Sequence, residues 1–222
     1  MKVNVIVTGA TGMVGEGVLN ECLLSPDVER VLIINRRPVG ISHPKLKEII
    51  HSNFFDFSGF ENELTGYNAC FFCLGVSSVG MKEVEYNRLT FTLTMHIAKA
   101  ISTLNTDMVF DYVSGAGTDS TEKGRSMWAR VKGKTENHLM QLPFKNAYMF
   151  RPGFMQAAPG AKNTLKLYKA FSWLYPILKP VFPQYMCTLK EVGLAMINTV
   201  KFGYDKPILE VKDIIKLAGR TE

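Results

Sequence analysis

Gly9, Gly12 and Gly15 stand three residues apart in Val7-Thr8-Gly9-Ala10-Thr11-Gly12-Met13-Val14-Gly15. The apolar run Val5-Ile6-Val7 leads into them and a helical pattern follows. In that context a glycine loop can cradle phosphate. Gly9 allows the sharp turn, Gly12 lets the backbone approach a diphosphate, and Gly15 lets the helix pack close to the strand. The anion would sit on the helix N-terminus, against unpaired amides and the positive end of the helix dipole. Thr11, Met13 and Val14 complete the loop and count with the glycines as expected contacts of a dinucleotide. The competing reading is a tight strand-to-helix turn that binds nothing.

A second group is basic. Asn35-Arg36-Arg37 closes the apolar run Val31-Leu32-Ile33-Ile34. A site selective for NAD places Asp or Glu there, bonded to the ribose hydroxyls. A guanidinium instead pairs with a 2′-phosphate and can stack on adenine. The prediction is NADP(H) preferred over NAD(H), with Arg36 the main contact and Arg37 the second. A solvated pair of surface arginines is the alternative.

These residues need a frame to hold them. Apolar runs at 3–8, 30–35, 46–51, 69–74, 108–114 and 147–151 alternate with helical patterns at 12–24, 84–104 and 125–141. Such alternation predicts parallel βαβ units and an α/β fold with a doubly wound parallel sheet. Val5-Ile6-Val7 and Val31-Leu32-Ile33-Ile34 lack polar alternation, as strands covered on both faces do. The 222 residues suit one domain. The expected division is a dinucleotide-binding core over 1–153 and a small C-terminal cap over 154–222 that completes the same domain. Pro152, Pro159, Pro176, Pro180, Pro183 and Pro207 break this last part into short pieces. It holds an aromatic stretch at 165–178, a helix at 188–201, a strand at 207–211 and a helix at 213–218.

The glycine spacing is G-x-x-G-x-x-G, and further motifs follow in order. They are Ile34-Asn35-Arg36-Arg37, Asp56-Phe57, Phe72-Cys73-Leu74-Gly75, Tyr112-Val113-Ser114, Val131-Lys132-Gly133-Lys134 and Phe150-Arg151-Pro152-Gly153. With them the sequence resembles the atypical short-chain dehydrogenase/reductases. Within these it looks like the NAD-dependent epimerase/dehydratase-like oxidoreductases of the Tat-interacting tumour-suppressor reductase group. The resemblance spans residues 3 to 153 and fades beyond. It implies an NAD(P)-binding Rossmann fold. It also implies that Asp56 accepts from the adenine amino group and that Leu74 and Gly75 line the adenosine. Pro152, Gly153 and Phe154 would run along the nicotinamide. Asp56 has a plainer role open to it, capping the turn that follows.

The same resemblance implies a serine ending the fifth strand and Tyr-x-x-x-Lys on one face of the next helix. The lysine holds the nicotinamide ribose and lowers the phenol pKa, and the phenol exchanges a proton with the substrate oxygen. Ser114 and Lys132 match and form the candidate catalytic pair. Trp128 stands where the tyrosine belongs. Its indole N–H donates hydrogen bonds but has no useful acidity near neutral pH. It is left to stack on a ring or to fill the space between helix and sheet. Three readings stay open. A substitute acid can come from Tyr86, Asp119, Ser120 or Tyr148. Lys132 and Ser114 can polarise a carbonyl while the cofactor leads. Or the protein binds dinucleotide without turning it over.

Composition limits the remaining classes. The formal charge of +6 suits an anionic small ligand, a nucleic acid or a membrane surface. No nucleic-acid motif or long basic run is present, so no nucleic-acid partner is expected. Residues 162–175 mix lysines with aromatics. They read as an amphipathic lid on the sheet edge, with an interfacial membrane helix as the alternative. Cys22, Cys70, Cys73 and Cys187 are too few for a disulfide scaffold, and Cys70-Phe71-Phe72-Cys73 reads as core packing. His43, His51, His96 and His138 show no metal-ligand spacing, so no metal is expected. The first residues show no secretion pattern, and a cytoplasmic protein is expected. The sequence thus reads as an NADP(H)-binding oxidoreductase acting on a small carbonyl or alcohol, as a monomer or homodimer. The alternative is a non-enzymatic dinucleotide-binding redox sensor or regulator.

Overall fold

The computed structural model of the protein describes residues 2–157, 163 and 175–221. Its strands are β1 (Val3–Thr8), β2 (Val28–Asn35), β3 (Leu46–Ile50), β4 (Ala69–Phe72), β5 (Val109–Val113), β6 (Asn146–Arg151), β7 (Phe154–Gln156), β8 (Met186–Thr188) and β9 (Ile208–Glu210). Seven of them form one parallel sheet in the order β3-β2-β1-β4-β5-β6-β9. β7 and β8 pair separately. The expected doubly wound sheet is borne out.

Successive strand residues point to opposite faces, so the apolar runs supply two cores at once. Val5, Val7, Ile33 and Phe71 pack beneath α1 (Met13–Leu24), α5 (Leu189–Phe202) and α6 (Val211–Ala218). Ile6, Leu32, Ile34, Phe72, Phe110 and Tyr112 pack beneath α3 (Leu93–Leu104) and the end of α4 (Met127–Leu139). α5 starts on a capping box, in which Thr188 and Glu191 exchange hydrogen bonds.

The structure departs from the sequence expectations in three places, and a fourth expectation falls outside the described residues. The helix expected at 84–104 is divided: α2 (Glu83–Asn87) runs through a π turn at Arg88–Thr92 before α3 begins. The wide turn sets Arg88 over the Phe55 ring at 5.7 Å and Phe91 under Lys134 at 4.1 Å. β4 stops at Phe72, two residues early, where the chain leaves the sheet beside Gly9. β7 and β8 are too short to show a pattern. The lid expected at 162–175 lies outside the described residues except for Asn163 and Tyr175.

Asp111 sits in the middle of β5 and is fully buried. Its Oδ2 lies 2.8 Å from Thr199 Oγ1, and Oδ1 has no partner among the described residues. Thr199 Oγ1 is also 2.5 Å from the Met196 carbonyl, and a hydroxyl has one proton to give. Both contacts of the Thr199 hydroxyl are made when Asp111 is protonated and donates from Oδ2 to Thr199, which donates onward to Met196. Burial holds the Asp111 carboxyl well above the ordinary carboxylate range. The unfolded chain ionises this group from about pH 4 upward, so stability falls as pH rises until the folded carboxyl ionises too. Asp111→Asn removes that loss. Its Tm is expected to exceed that of the wild type at pH 8 but not at pH 4, by thermal denaturation. An equal difference at both pH values contradicts a protonated Asp111.

Candidate functional site

The strand order reverses at β1: β2 and β3 lie on one side of it and β4 to β6 on the other. In such sheets the crevice for ligands opens beyond the carboxyl ends of the strands at this reversal. Gly9 turns the chain there with φ of 73°. A Cβ on Gly9 would lie 2.7 Å from backbone atoms of Cys73 and Leu74, and one on Gly15 would lie 2.1 Å from the Gly9 carbonyl. Neither position admits a side chain. Gly12 donates its N–H to the Gly9 carbonyl at 2.9 Å and is the N-cap of α1, with no side-chain cap. Helical bonding begins with Glu16 N–H to the Gly12 carbonyl at 2.9 Å. The amides of Met13, Val14 and Gly15 therefore precede the ladder and face out of the helix end. This cradle of backbone donors fits a diphosphate.

Arg36 and Arg37 are exposed at the end of β2. Asn35, just before them, is buried and donates from Nδ2 to Glu48 Oε1 at 3.0 Å. Val39 N–H donates to the same oxygen at 3.0 Å. Glu48, on β3, thus clamps both ends of the turn that carries the arginines. It escapes a reading of the sequence because its partners lie on β2 and in the loop that follows it.

The remaining expected contacts lie around the same rim. Asp56 is exposed, and hydrogen bonds from the hydroxyl and backbone N–H of Ser58 hold its carboxyl below the usual range. It caps that turn, with Ser58 N–H at 2.9 Å from Oδ1. Leu74 is half-buried beside Gly9, and Gly75 opens onto free space. Thr11 is exposed on the loop. Pro152 accepts the Ala116 N–H at 2.9 Å, which ties the loop after β5 to the end of β6. A Cβ on Gly153 would lie 2.2 Å from the Tyr185 carbonyl, so glycine brings this segment against the 3-10 turn Pro183–Tyr185. Phe154 then opens β7.

Ser114 and Lys132 are brought together, though not as two free groups. The Ser114 hydroxyl lies 2.5 Å from Glu136 Oε1. Lys132 Nζ donates to the Ser114 backbone carbonyl. Glu136 is fully buried and takes Arg151 on both oxygens, with Nε at 3.0 Å from Oε1 and Nη2 on Oε2. Arg151 also reaches Ser120 Oγ at 2.5 Å and Glu210 at 3.4 Å. The sequence signal for this cluster was Lys132-x-x-x-Glu136, one helical turn on one face. Burial pulls the Lys132 ammonium down to about 8, and the Glu136 charge opposes that shift. Gly133, next to Lys132, has no room for a Cβ, which would lie 1.8 Å from the Asp119 carbonyl.

Trp128 lies half-buried against the loop after β5, its ring edge 3.6 Å from where a Gly117 Cβ would be. The four substitute acids are otherwise engaged. Tyr86 is buried, which pushes its phenol up. Asp119 is held below its usual range, by the Thr121 hydroxyl first, and also accepts Gly124 N–H at 2.6 Å. Ser120 accepts Arg151. Tyr148, in the first half of β6, accepts the Tyr204 N–H at 2.9 Å.

No family model matches the chain. "Protein fmp52, mitochondrial" of Emericella nidulans is 30% identical over 159 residues, covering 68% of this chain and 66% of that protein. "Protein FMP52, mitochondrial" of Coccidioides immitis is 28% identical over 242 residues, covering 97% and 96%. Among solved structures, the Bordetella bronchiseptica enzyme WbmF in complex with NAD+ superposes with a TM-score of 0.62 at 14% identity, covering 98% of this chain and 76% of WbmF. The carbonyl reductase Sniffer of D. melanogaster superposes with a TM-score of 0.54 at 13% identity, covering 70% and 82%. The resemblance to the short-chain dehydrogenase/reductases holds at the level of the fold, which is their α/β Rossmann fold. The cytoplasmic location expected from the sequence is overturned by these relatives, which are named mitochondrial.

Proposed function

We propose that the protein binds NADP(H) in the glycine cradle after β1 and transfers hydride between it and a small carbonyl or alcohol, the accompanying proton being exchanged with solvent. The cradle carries the reading: two glycines that admit no Cβ set three backbone amides at the mouth of the crevice. WbmF, of the same fold, is known in complex with NAD+. When bound, the nicotinamide supplies the hydride, and the protein supplies position and polarisation. The amides of Met13, Val14 and Gly15 hold the diphosphate. Arg36 takes the 2′-phosphate with Arg37 beside it, on the turn clamped by Glu48. Asp56, Leu74 and Gly75 flank the adenosine, and Pro152, Gly153 and Phe154 the nicotinamide. Lys132 holds ribose hydroxyls, while Ser114, bonded to Glu136, sets the carbonyl on which Lys132 docks.

Trp128 favours a second reading, a redox regulator that binds the dinucleotide without oxidising it. One experiment separates the two. The wild type and Trp128→Tyr are supplied with NADPH and a panel of activated dicarbonyls and quinones, and loss of the reduced nicotinamide is followed. A positioned phenol contributes about 100-fold or more, so Trp128→Tyr is expected to raise kcat by roughly that factor with unchanged NADPH affinity. Binding without turnover in either protein gives the regulator reading.

A further inference from the structure

Glu136 is a carboxylate with 0% exposure beneath the carboxyl ends of β5 and β6. A buried ion pair contributes little net stability beside an apolar pair of the same size. Its place is therefore informative. Glu136 binds the hydroxyl of Ser114, and Lys132, one turn earlier on α4, binds the carbonyl of the same serine. Arg151 closes the other side of Glu136 and extends to Ser120 and to Glu210.

We propose that Glu136 is a positioning residue for Lys132: it fixes the serine on which the ammonium docks, at the place where the ribose of a bound dinucleotide would lie. This rests on the dinucleotide-binding reading above. Glu136 acts on Lys132 from the same helix. From β6 Arg151 compensates it, and Glu210 at the end of β9 acts through Arg151. From β5, Ser114 and the Tyr112 phenol, pushed up by burial, face the cluster uncharged. Ser120 adds a neutral hydroxyl from the loop. Burial lowers the Lys132 pKa and the Glu136 charge raises it, so removing that charge makes Lys132 lose its proton at lower pH.

The test follows NADPH binding by nicotinamide fluorescence across pH. In the wild type, affinity falls as pH rises through about 8. In Glu136→Gln that fall moves to lower pH, and NADPH binds roughly tenfold more weakly at pH 8, as expected for one charge-assisted hydrogen bond. Glu136→Gln strands the Arg151 guanidinium, so Glu136→Gln with Arg151→Gln is measured beside it; removing both charges leaves none unpaired. A downward movement is expected here too, smaller than in Glu136→Gln because the compensating Arg151 charge is removed with it. A role in folding alone lowers Tm and leaves the pH midpoint in place. A folded variant with the wild-type midpoint overturns the proposal. A wild type that does not bind NADPH overturns the reading beneath it, and the proposal with it.

Discussion

Gly15→Ala is expected to weaken NADPH binding strongly and to lower Tm sharply. The new Cβ would lie 2.1 Å from the Gly9 carbonyl and 2.9 Å from the Ala10 amide nitrogen. Both are backbone atoms, so no rotamer change relieves the clash. Either α1 retreats from the turn or the turn reshapes, and overpacking of this kind costs about 1–3 kcal/mol or more. Both routes displace the amides of Met13, Val14 and Gly15, on which the diphosphate depends. Binding is expected to weaken by at least about 100-fold, the loss of two or more good hydrogen bonds to a charged group. Gly75→Ala is the control for stability, since its Cβ would meet nothing within 4 Å. It should keep the wild-type Tm. A Gly15→Ala variant with wild-type Tm and wild-type NADPH affinity would mean that the turn is not the phosphate site.

Arg36→Ala is expected to raise the Kd for NADPH by roughly 10- to 100-fold while leaving NADH within about twofold. A hydrogen bond to a charged partner contributes about 1.5–3 kcal/mol, and each 1.4 kcal/mol is tenfold in affinity. Arg36 is exposed at the end of β2, on a turn whose two ends are tied to Glu48. The turn is thus set before a ligand arrives, and ordering it adds little to the cost of binding. Arg37→Ala should act in the same direction and less strongly. If Arg36→Ala weakens both cofactors equally, the guanidinium does not read the 2′-phosphate.

Features that rest on neighbouring residues were legible in the sequence. The glycine loop declares itself within nine residues, because Gly9 and Gly15 answer the steric demands of one tight turn. The apolar runs of β1 and β2 declare themselves because a strand buried on both faces has no polar alternation. Features made by residues far apart in the chain were not. Ser114, Glu136 and Arg151 come together only when α4 is laid across β5 and β6. Glu48 looks like any surface carboxylate until β3 is placed beside β2. Asp119 and Tyr148 were reasonable substitute acids as residue types, and their partners are set by the fold. Location was misread for a different reason: composition and charge carry no address.

On the proposed function, the crevice at the carboxyl ends of β1 and β4 holds a phosphorylated dinucleotide. Titration of the wild-type protein with NADPH and with NADH, followed by nicotinamide fluorescence, tests it most directly. Saturable one-site binding of NADPH in the micromolar range is expected, with much weaker binding of NADH. Saturable binding of neither, or NADH bound as tightly as NADPH, would contradict it.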